Sequence, residues 1–173
     1  MSVKVAVRVR PFNEREIKGN SKCCVKMQGP TTQLVDPATG KDKTFTFDYS
    51  FWSHDGFEEV DGILQKKNGQ GKYATQQEVY ECLGKQVLDN AWEGYHCCLF
   101  AYGQTGSGKS YSMVGYGANK GIVPIACDEI FRRIAKSDAD ESDNTKFQVQ
   151  FSMLEIYNEK VQDLLVTDPK QKP

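Results

Sequence analysis

One segment of the chain combines glycines, a lysine and a hydroxyl side chain at the spacing G-x-x-x-x-G-K-[ST]. Its residues are Gly103, Gln104, Thr105, Gly106, Ser107, Gly108, Lys109 and Ser110. Glycine lets backbone N–H groups turn toward phosphate oxygens and approach them closely. A lysine at this position reaches β- and γ-phosphates as a point charge, and a hydroxyl oxygen suits the hard ion Mg²⁺. The segment therefore predicts a nucleoside triphosphate site in which Ser110 holds Mg²⁺; the plainer interpretation is a glycine-rich turn.

The segments on either side of this loop are predicted to hold it in place. Residues 95–102 form an unbroken apolar and aromatic run, which is typical of a strand buried on both faces of a parallel sheet. A helix is expected to begin at Lys109 and to point the positive end of its dipole at the phosphates. Another helix is expected before the run, because Thr75 and Glu78 form a capping box and Gly94 stands where a helix ends. Strand, loop and helix in this order favour a phosphate-binding loop over an isolated turn.

The rest of the chain alternates strand and helix signals, which indicates an α/β fold. Period-two patterns and β-branched or aromatic runs predict strands at 3–9, 23–27, 32–35, 44–49 and 147–157. Helix is expected to resume at Pro124, a favoured first helical position. Residues 53–72 are polar, and we expect them to form a long surface loop.

Composition and charge narrow the classes of function. The 173 residues carry 22 basic and 23 acidic side chains, and this net charge of −1 does not favour binding to nucleic acid or to an anionic membrane. No apolar stretch approaches the roughly 18 residues that cross a bilayer, and the strand pattern near Met1 leaves no room for a signal peptide. The six cysteines fit neither a zinc site nor a disulfide framework, and we expect Cys97 and Cys98 to be small core residues. These features predict a reduced, cytoplasmic setting.

Three pieces of sequence, in this order, resemble the motor domain of kinesins. The first is Val7-Arg8-Val9-Arg10-Pro11, the second is Phe100-Ala101-Tyr102 running into the phosphate loop, and the third is Leu154-Glu155-Ile156-Tyr157-Asn158-Glu159. The phosphate loop alone indicates only an NTPase, whereas the three pieces together argue against a chance match. Two further stretches, at 48–54 and 92–95, are most similar to the third kinesin class, the Unc-104-like cargo carriers. The polar stretch around 55–72 departs from the animal members of that class and leaves the subtype open.

The resemblance implies a P-loop NTPase fold, a mixed sheet flanked by helices, that binds ATP and Mg²⁺. It places Arg8, Arg10 and Pro11 at the nucleotide, with Arg8 and Pro11 against the adenine, since a guanidinium plane and a proline ring both stack on a flat base. It places Tyr111 on the other side of the adenine and Lys160 on the microtubule-facing side. From the residues alone, the two arginines also fit a solvated strand face, Tyr111 a core-facing position, and Lys160 an ordinary exposed lysine.

The resemblance covers the whole chain but only about the first half of a motor domain. Kinesins next carry switch I, N-x-x-S-S-R, and switch II, D-L-A-G-S-E, and neither occurs in these 173 residues. Because phosphoryl transfer depends on positioning by such segments, no catalytic residue is assigned. We expect residues 1–167 to be the N-terminal half of a truncated motor domain and 168–173 to be a disordered tail. The strands that flank 95–102 in kinesins lie in the second half, so we also expect this run to lack neighbours.

The function expected of the intact protein is a microtubule-dependent ATPase that couples hydrolysis to movement along microtubules, in the cytoplasm on the cytoskeleton. Tubulin is the expected partner, whereas nucleic acid and direct membrane insertion are not expected. The alternative is a half-motor that hydrolyses nothing and acts at most as a binding module. A third possibility is another P-loop enzyme such as a small nucleotide kinase, against which the R-x-R-P and E-I-Y-N-E pieces argue.

Overall fold

The computed structural model describes residues 3–139 and 145–166. The chain divides into two compact units, Met1–Phe131 and Arg132–Pro173. Parallel and antiparallel strand pairs occur together with helices, which confirms the predicted mixed α/β class. The tail predicted at 168–173 lies outside the described residues.

The strands of the first unit form several small sheets. Its described strands are β1 Ala6–Val9, β2 Val25–Gln28, β3 Thr31–Val35, β4 Asp42–Thr46, β5 Tyr49–Trp52, β6 Phe57–Val60, β7 Ile63–Lys66, β8 Gly115–Tyr116 and β9 Asn119–Lys120. β1 pairs in parallel with β5, with Ala6 opposite Tyr49 and Val9 opposite Trp52. β2, β3 and β4 form an antiparallel sheet, and β6–β7 and β8–β9 are antiparallel hairpins. The pairing with β5 therefore fixes one edge of the strand that carries Arg8 and leads into Arg10 and Pro11.

The helices follow the start and stop signals of the sequence closely. They are α1 Glu14–Lys18, α2 Gln76–Val79, α3 Lys85–Trp92, α4 Lys109–Met113 and α5 Ile122–Asp138, and a π-helical turn at Tyr80–Gly84 joins α2 to α3. The predicted capping box at α2 is confirmed: the Glu78 N–H donates to the Thr75 hydroxyl at 3.2 Å, and the Thr75 N–H donates to the Glu78 carboxylate at 2.9 Å. α5 begins two positions before Pro124, the predicted start.

The core of the first unit joins β5 to α2 and to the start of α5. Its buried members are Phe51, Ala74, Val79, Tyr80 and Ile122. A Cβ at Gly84 would lie 2.5 Å from the Tyr80 ring and 2.9 Å from Ile122 Cγ2, so a glycine is required where the π-helical turn meets α5. Burial of each large apolar side chain contributes about 1.5–3 kcal/mol, which makes this cluster the main anchor for the helix that precedes the phosphate loop.

The segment 53–72 is not the open loop that its polar composition predicts. β6 and β7 pair antiparallel within it, with Phe57 opposite Lys66 and Val60 opposite Ile63. Asp61 and Gly62 have φ of 51° and 78°, which is the geometry of a two-residue hairpin turn. The Phe57 ring also lies 5.2 Å from the ring of Tyr73, which is buried. The segment is therefore a folded hairpin attached to the rest of the unit.

Residues 95–102 form no strand, so the buried strand predicted from their apolar run is wrong. Phe100 and Tyr102 are 78% and 96% exposed. Cys98 is exposed and Cys97 half-buried, and neither is the core residue that we predicted. A strand requires partners for its N–H and C=O groups, and no strand pairs with this run within the described part of the chain. The missing neighbours agree with the expectation drawn from the resemblance.

The second unit contains one hairpin in its described residues, β10 Leu154–Tyr157 paired antiparallel with β11 Lys160–Asp163. The strand predicted at 147–157 is present only over its last four residues, since the ladder ends where β11 ends. Asn158 and Glu159, with φ of 48° and 61°, make the turn. Among the described residues of the whole chain, no helix is long and apolar enough to span a membrane.

Candidate nucleotide site

The phosphate loop at 103–108 takes its shape from glycines. Gly103, Gly106 and Gly108 have φ of 153°, 79° and 98°, values that L side chains rarely adopt. A Cβ at Gly103 would lie 2.5 Å from Ser107 Oγ, whereas a Cβ at Gly106 would meet nothing within 4 Å. Gly103 is therefore required by its backbone and its packing, and Gly106 by its backbone alone.

The loop presents main-chain N–H groups at the start of α4. The Ser107 N–H donates to Gln104 O at 3.1 Å and closes the loop on itself. The N–H groups of Gly108, Lys109 and Ser110 meet no protein acceptor within the described ranges. Those of Lys109 and Ser110 belong to the first turn of a helix, which has no preceding carbonyls to bond. Several such groups in succession form a concavity that suits an anion.

The Lys109 ammonium is held by the loop itself. Its Nζ donates to Gly103 O at 2.7 Å and to Gln104 O at 3.0 Å. Ser110 is exposed beside it in the chain. Across residues 3–139 and 145–166, no group of three or more His, Cys, Asp or Glu side chains could hold a metal ion. A Mg²⁺ here would use the Ser110 hydroxyl, phosphate oxygens and water, the ligand set that this ion favours. The donors present fit a nucleotide polyphosphate with Mg²⁺.

Arg10 joins the end of β1 to the phosphate loop. Its Nε donates to Gly106 O at 2.6 Å, and its terminal nitrogens donate to the Glu16 carboxylate at 2.7 Å each and to Pro11 O at 2.6 Å. Glu16 also accepts from the Asn13 N–H at 2.8 Å in the capping box of α1. The hydrogen bond from Arg10, followed by that from Asn13, lowers the pKa of Glu16 to about 2. Arg10 is thus held in a fixed direction toward the loop.

Arg8 is surrounded by protein partners. Its guanidinium donates to Gln76 Oε1 at 2.6 Å, to Ser53 Oγ at 2.9 Å, to Ser112 Oγ at 3.1 Å and to Ala74 O at 3.3 Å. Burial lowers the pKa of this guanidinium, which still keeps its charge at any physiological pH.

Tyr111 lies directly against Arg8. The guanidinium carbon of Arg8 is 5.2 Å from the centre of the Tyr111 ring, within the range of a cation–π contact. The Tyr116 ring stacks on Tyr111 at 6.1 Å. Two residues that the resemblance places on opposite sides of an adenine therefore contact each other in this structure. Their role at a base, like that of Pro11, stays a prediction.

Some residues of this network were not predicted from the sequence. Glu16 could have been found, because Asn13 and Glu16 have the spacing of a capping box. Gln76, Ser53 and Ser112 follow no motif and meet Arg8 only through the fold. Lys160, in contrast, lies exposed in β11 of the second unit.

Comparison with known proteins points to one family. The family model described as "Kinesin motor domain" matches residues 8–173. The chain is 51% identical over 166 residues to Kinesin-like protein KIF28 of Rattus norvegicus, a match that covers 95% of this chain and 16% of that protein. It is 46% identical over 175 residues to Kinesin-like protein KIF1A of Rattus norvegicus, covering 99% of this chain and 9% of that one.

Solved structures give the same result for the fold. A KIF14 dimer with AMP-PNP in complex with a microtubule matches with a TM-score of 0.78 and 38% identity, over 99% of this chain and 44% of that chain. The 173 residues thus span 16% of the KIF28 relative and less than half of this KIF14 chain. Relatives such as KIF28, KIF1A and KIF13A confirm the resemblance to the third kinesin class. The chain therefore belongs to the kinesin motor domain family.

Proposed function

We propose that this chain forms the nucleotide-binding part of a microtubule-dependent ATPase that acts in the cytoplasm on the microtubule cytoskeleton. The observation that carries the proposal is the phosphate loop, in which three positive-φ glycines, successive N–H groups and the Lys109 ammonium converge. Similarity to KIF14 structures, which contain ADP or AMP-PNP and a microtubule, supports ATP and tubulin as ligands of the intact protein.

Each residue of the site has a distinct role in this proposal. Lys109 exchanges its bonds to loop carbonyls for bonds to β- and γ-phosphate oxygens, and the N–H groups from Gly108 onward hold the same phosphates. The Ser110 hydroxyl would hold Mg²⁺, which would supply positive charge to those oxygens. Arg8, Pro11 and Tyr111 are the proposed contacts with the base, and Arg8 and Tyr111, which touch each other here, would separate to let a base lie between them. Arg10 acts through Gly106 and is a positioning residue for the loop.

Loss of the Lys109 ammonium tests the nucleotide site. We expect Lys109→Ala, in a motor domain that contains these residues, to remove most of the affinity for a fluorescent ATP analogue, because the β- and γ-phosphates lose their cation. Lys18→Ala is a matched control, since that lysine is 79% exposed and, among the residues that the structure describes, its ion pair is with Glu14 of its own helix. Equal binding by the wild type and Lys109→Ala would contradict the proposal.

Lys160 is the proposed contact with tubulin within this chain. It is exposed in β11, so its ammonium can approach an acidic surface. We expect Lys160→Glu to weaken co-sedimentation of the motor domain with microtubules, and the effect to diminish as salt is added. Lys43→Glu, also exposed, serves as the control for charge alone. If both reversals weaken binding equally, Lys160 has no specific role.

A second candidate function is a half-motor that binds nucleotide and hydrolyses nothing. The absence of both switch segments from the 173 residues favours it for this stretch by itself, with residues 1–167 as the N-terminal half of a motor domain. Missing transition-state positioning of this kind lowers phosphoryl transfer on the order of 10³-fold or more. We expect an ATPase assay on the 173-residue chain with microtubules to show negligible turnover. Turnover near that of a complete motor domain would rule this candidate out.

A further inference from the structure

The tip of the β6–β7 hairpin is bound by a single side-chain amide. Asn119 Oδ1 accepts from the Leu64 N–H at 2.8 Å, and Asn119 Nδ2 donates to Gly62 O at 2.7 Å. The carbonyl and the amino group of this side-chain amide are thus both hydrogen-bonded to the main chain of one hairpin. Gly62 also lies beside Ala118, since a Cβ at Gly62 would be in ordinary van der Waals contact with the Ala118 Cβ, at 3.9 Å.

The β8–β9 hairpin that carries Asn119 is fixed to the end of α4. The Gly121 N–H donates to Val114 O at 2.9 Å, directly after the helix. A Cβ at Gly115 would lie well inside contact distance of Asn119 O, so the two sides of this hairpin pack without a gap. The Tyr116 ring stacks on Tyr111 of α4. Asn119 is therefore connected through its own hairpin to the helix that begins with Lys109.

Gln76 provides a second connection between the same elements. It is 8% exposed, and its Nε2 donates to Tyr111 O at 2.6 Å and to Asn119 O at 3.3 Å. Its Oε1 accepts from Arg8 at 2.6 Å. One buried amide thus links the first turn of α4, the hairpin that holds Asn119, and the strand β1.

The root of the β6–β7 hairpin is fixed as well. Lys66 Nζ lies 2.5 Å from Glu78 Oε1, and Glu78 belongs to the capping box of α2. Burial raises the pKa of Glu78, but the hydrogen bonds from Lys66 and the Thr75 N–H outweigh it, and the pKa falls below its ordinary value. The hairpin therefore spans from the capping box of α2 to the element that follows α4, with a polar contact at each end.

We propose that the β6–β7 hairpin braces the phosphate-loop helix α4, and that Asn119 is the positioning residue through which it acts on nucleotide release. The brace resists movement of α4 away from the loop, and such movement separates Lys109 and the N–H groups from the phosphates. This inference rests on the proposed nucleotide site. It assigns a role to the 53–72 segment, which composition alone suggests is a passive surface loop.

The test measures release of a fluorescent ADP analogue from a motor domain that contains these residues. Asn119→Ala removes both contacts to the hairpin, and we expect release to be about threefold to tenfold faster, the effect of about one net hydrogen bond, because part of the loss stays within the hairpin. Asn90→Ala is the matched control, because Asn90 lies on α3 and, within residues 3–139 and 145–166, its contact outside the helix is made by its main-chain carbonyl, which accepts from the Tyr95 N–H. Hydrogen exchange at the Leu64 amide reports in parallel whether the hairpin contact has been lost.

A second variant removes the other side of the contact. Replacing residues 57–66 by a glycine–serine linker leaves Asn119 in place, so it also tests the brace if Asn119→Ala does not fold. We expect the linker variant to speed release by a similar factor, and Asn119→Ala to add less than about twofold in its background, as required of partners in one interaction.

The outcomes separate this inference from the function on which it rests. Faster exchange at Leu64 with unchanged nucleotide release, or multiplicative effects of the two changes, would overturn the brace. An equal shift in Tm for Asn119→Ala and Asn90→Ala, with faster release only in the former, would support a positioning role over a structural one. If Lys109→Ala keeps full affinity for the ATP analogue, the nucleotide site itself is wrong, whatever Asn119 does.

Discussion

The segment that contains β1 and the run at 95–102 are both predicted to be strands, yet only β1 is a strand. β1 finds a parallel partner in β5, 43 positions further on, and the β5 residue Phe51 is 8% exposed in the core. The run at 95–102 has no strand beside it in the described residues, and Phe100 is 78% exposed. An apolar, β-forming sequence therefore becomes a strand only where a neighbour supplies the hydrogen bonds.

Truncation of one phenylalanine in each region gives the largest expected contrast. Phe51→Ala should lower the free energy of unfolding by about 3–5 kcal/mol, because it leaves a cavity in the core. Phe100→Ala should change it by less than about 0.5 kcal/mol, because its ring is already in water. Urea denaturation of the 173-residue chain measures both. A comparable loss for Phe100→Ala would mean that a partner, such as a second copy of the chain, buries the run.

The exposed run at 95–102 should also decide how strongly copies of the chain associate with one another. Unpaired backbone groups beside exposed rings are a template for aggregation, so we expect the 173-residue chain to be poorly soluble. Phe100→Ser combined with Tyr102→Ser should raise the soluble fraction in sedimentation velocity experiments. A monomeric chain with a cooperative thermal transition and slow hydrogen exchange at 97–101 would show that the run is paired after all.

Substitution of Arg8 measures how much its hydrogen bonds stabilise the region around β1. Arg8→Met should cost about 2–3 kcal/mol of unfolding free energy, because it leaves the buried acceptors of Gln76 and Ser53 without their donor. Arg8→Lys should recover little, since an ammonium cannot reproduce the planar set of contacts. Arg15→Met, on the exposed face of α1, is the control. Full stability in Arg8→Met, measured by urea denaturation, would show that the network is dispensable.

Two glycines of the phosphate loop allow a finer test. Gly103→Ala should weaken binding of an ATP analogue about tenfold or more, because backbone strain of about 1–3 kcal/mol is joined by the clash with Ser107. Gly106→Ala should have a smaller effect, since its Cβ would enter open space. Fluorescence titration of both variants ranks them. The reverse order would mean that the loop rearranges when nucleotide binds.

The smallest expected effect on stability is that of the Glu16 carboxylate, and it can be measured by unfolding the chain at decreasing pH. Its pKa of about 2 in the folded chain lies below the ordinary value of 4.5. A lowered pKa stabilises the fold above the unfolded value, and this contribution is lost as pH falls from 4.5 through 2. The difference in unfolding free energy between the wild type and Glu16→Gln should therefore be constant above about pH 5 and shrink toward pH 2. A difference that does not vary with pH would show that the ion pair does not stabilise the fold.

Local signals in the sequence predicted the parts of the fold that local geometry decides. The glycine-shaped loop at 103–108 and the Thr75 capping box depend on residues within a few positions of each other, and the structure has a positive-φ loop and a capped helix at these places, while phosphate binding by the loop stays a prediction. The β6–β7 hairpin also carried a local signal, the Asp61-Gly62 pair between two short β-forming runs. The polar composition of 53–72 predicts a loop and hides this turn signal.

Contacts between distant positions could not be predicted in this way. Arg8 and Gln76 are 68 positions apart, and Leu64 and Asn119 are 55 apart. Neither pair has a sequence pattern, because each depends on how β1, α2 and the two hairpins pack. The candidate site is thus partly readable from the sequence, at the loop, and partly a product of tertiary packing, at the residues that hold the loop.

The double use of Glu16 restricts how this chain can evolve. Its carboxylate caps α1 through the Asn13 N–H and at the same time binds Arg10, which reaches Gly106. An exchange of the two charges would restore attraction between positions 10 and 16 but would put a cation at the start of α1 and remove the donor to the loop. No single compensating change repairs both losses. Arg10 and Glu16 should therefore change only when the loop changes as well. A diverged descendant that keeps both residues would have a loop still under selection.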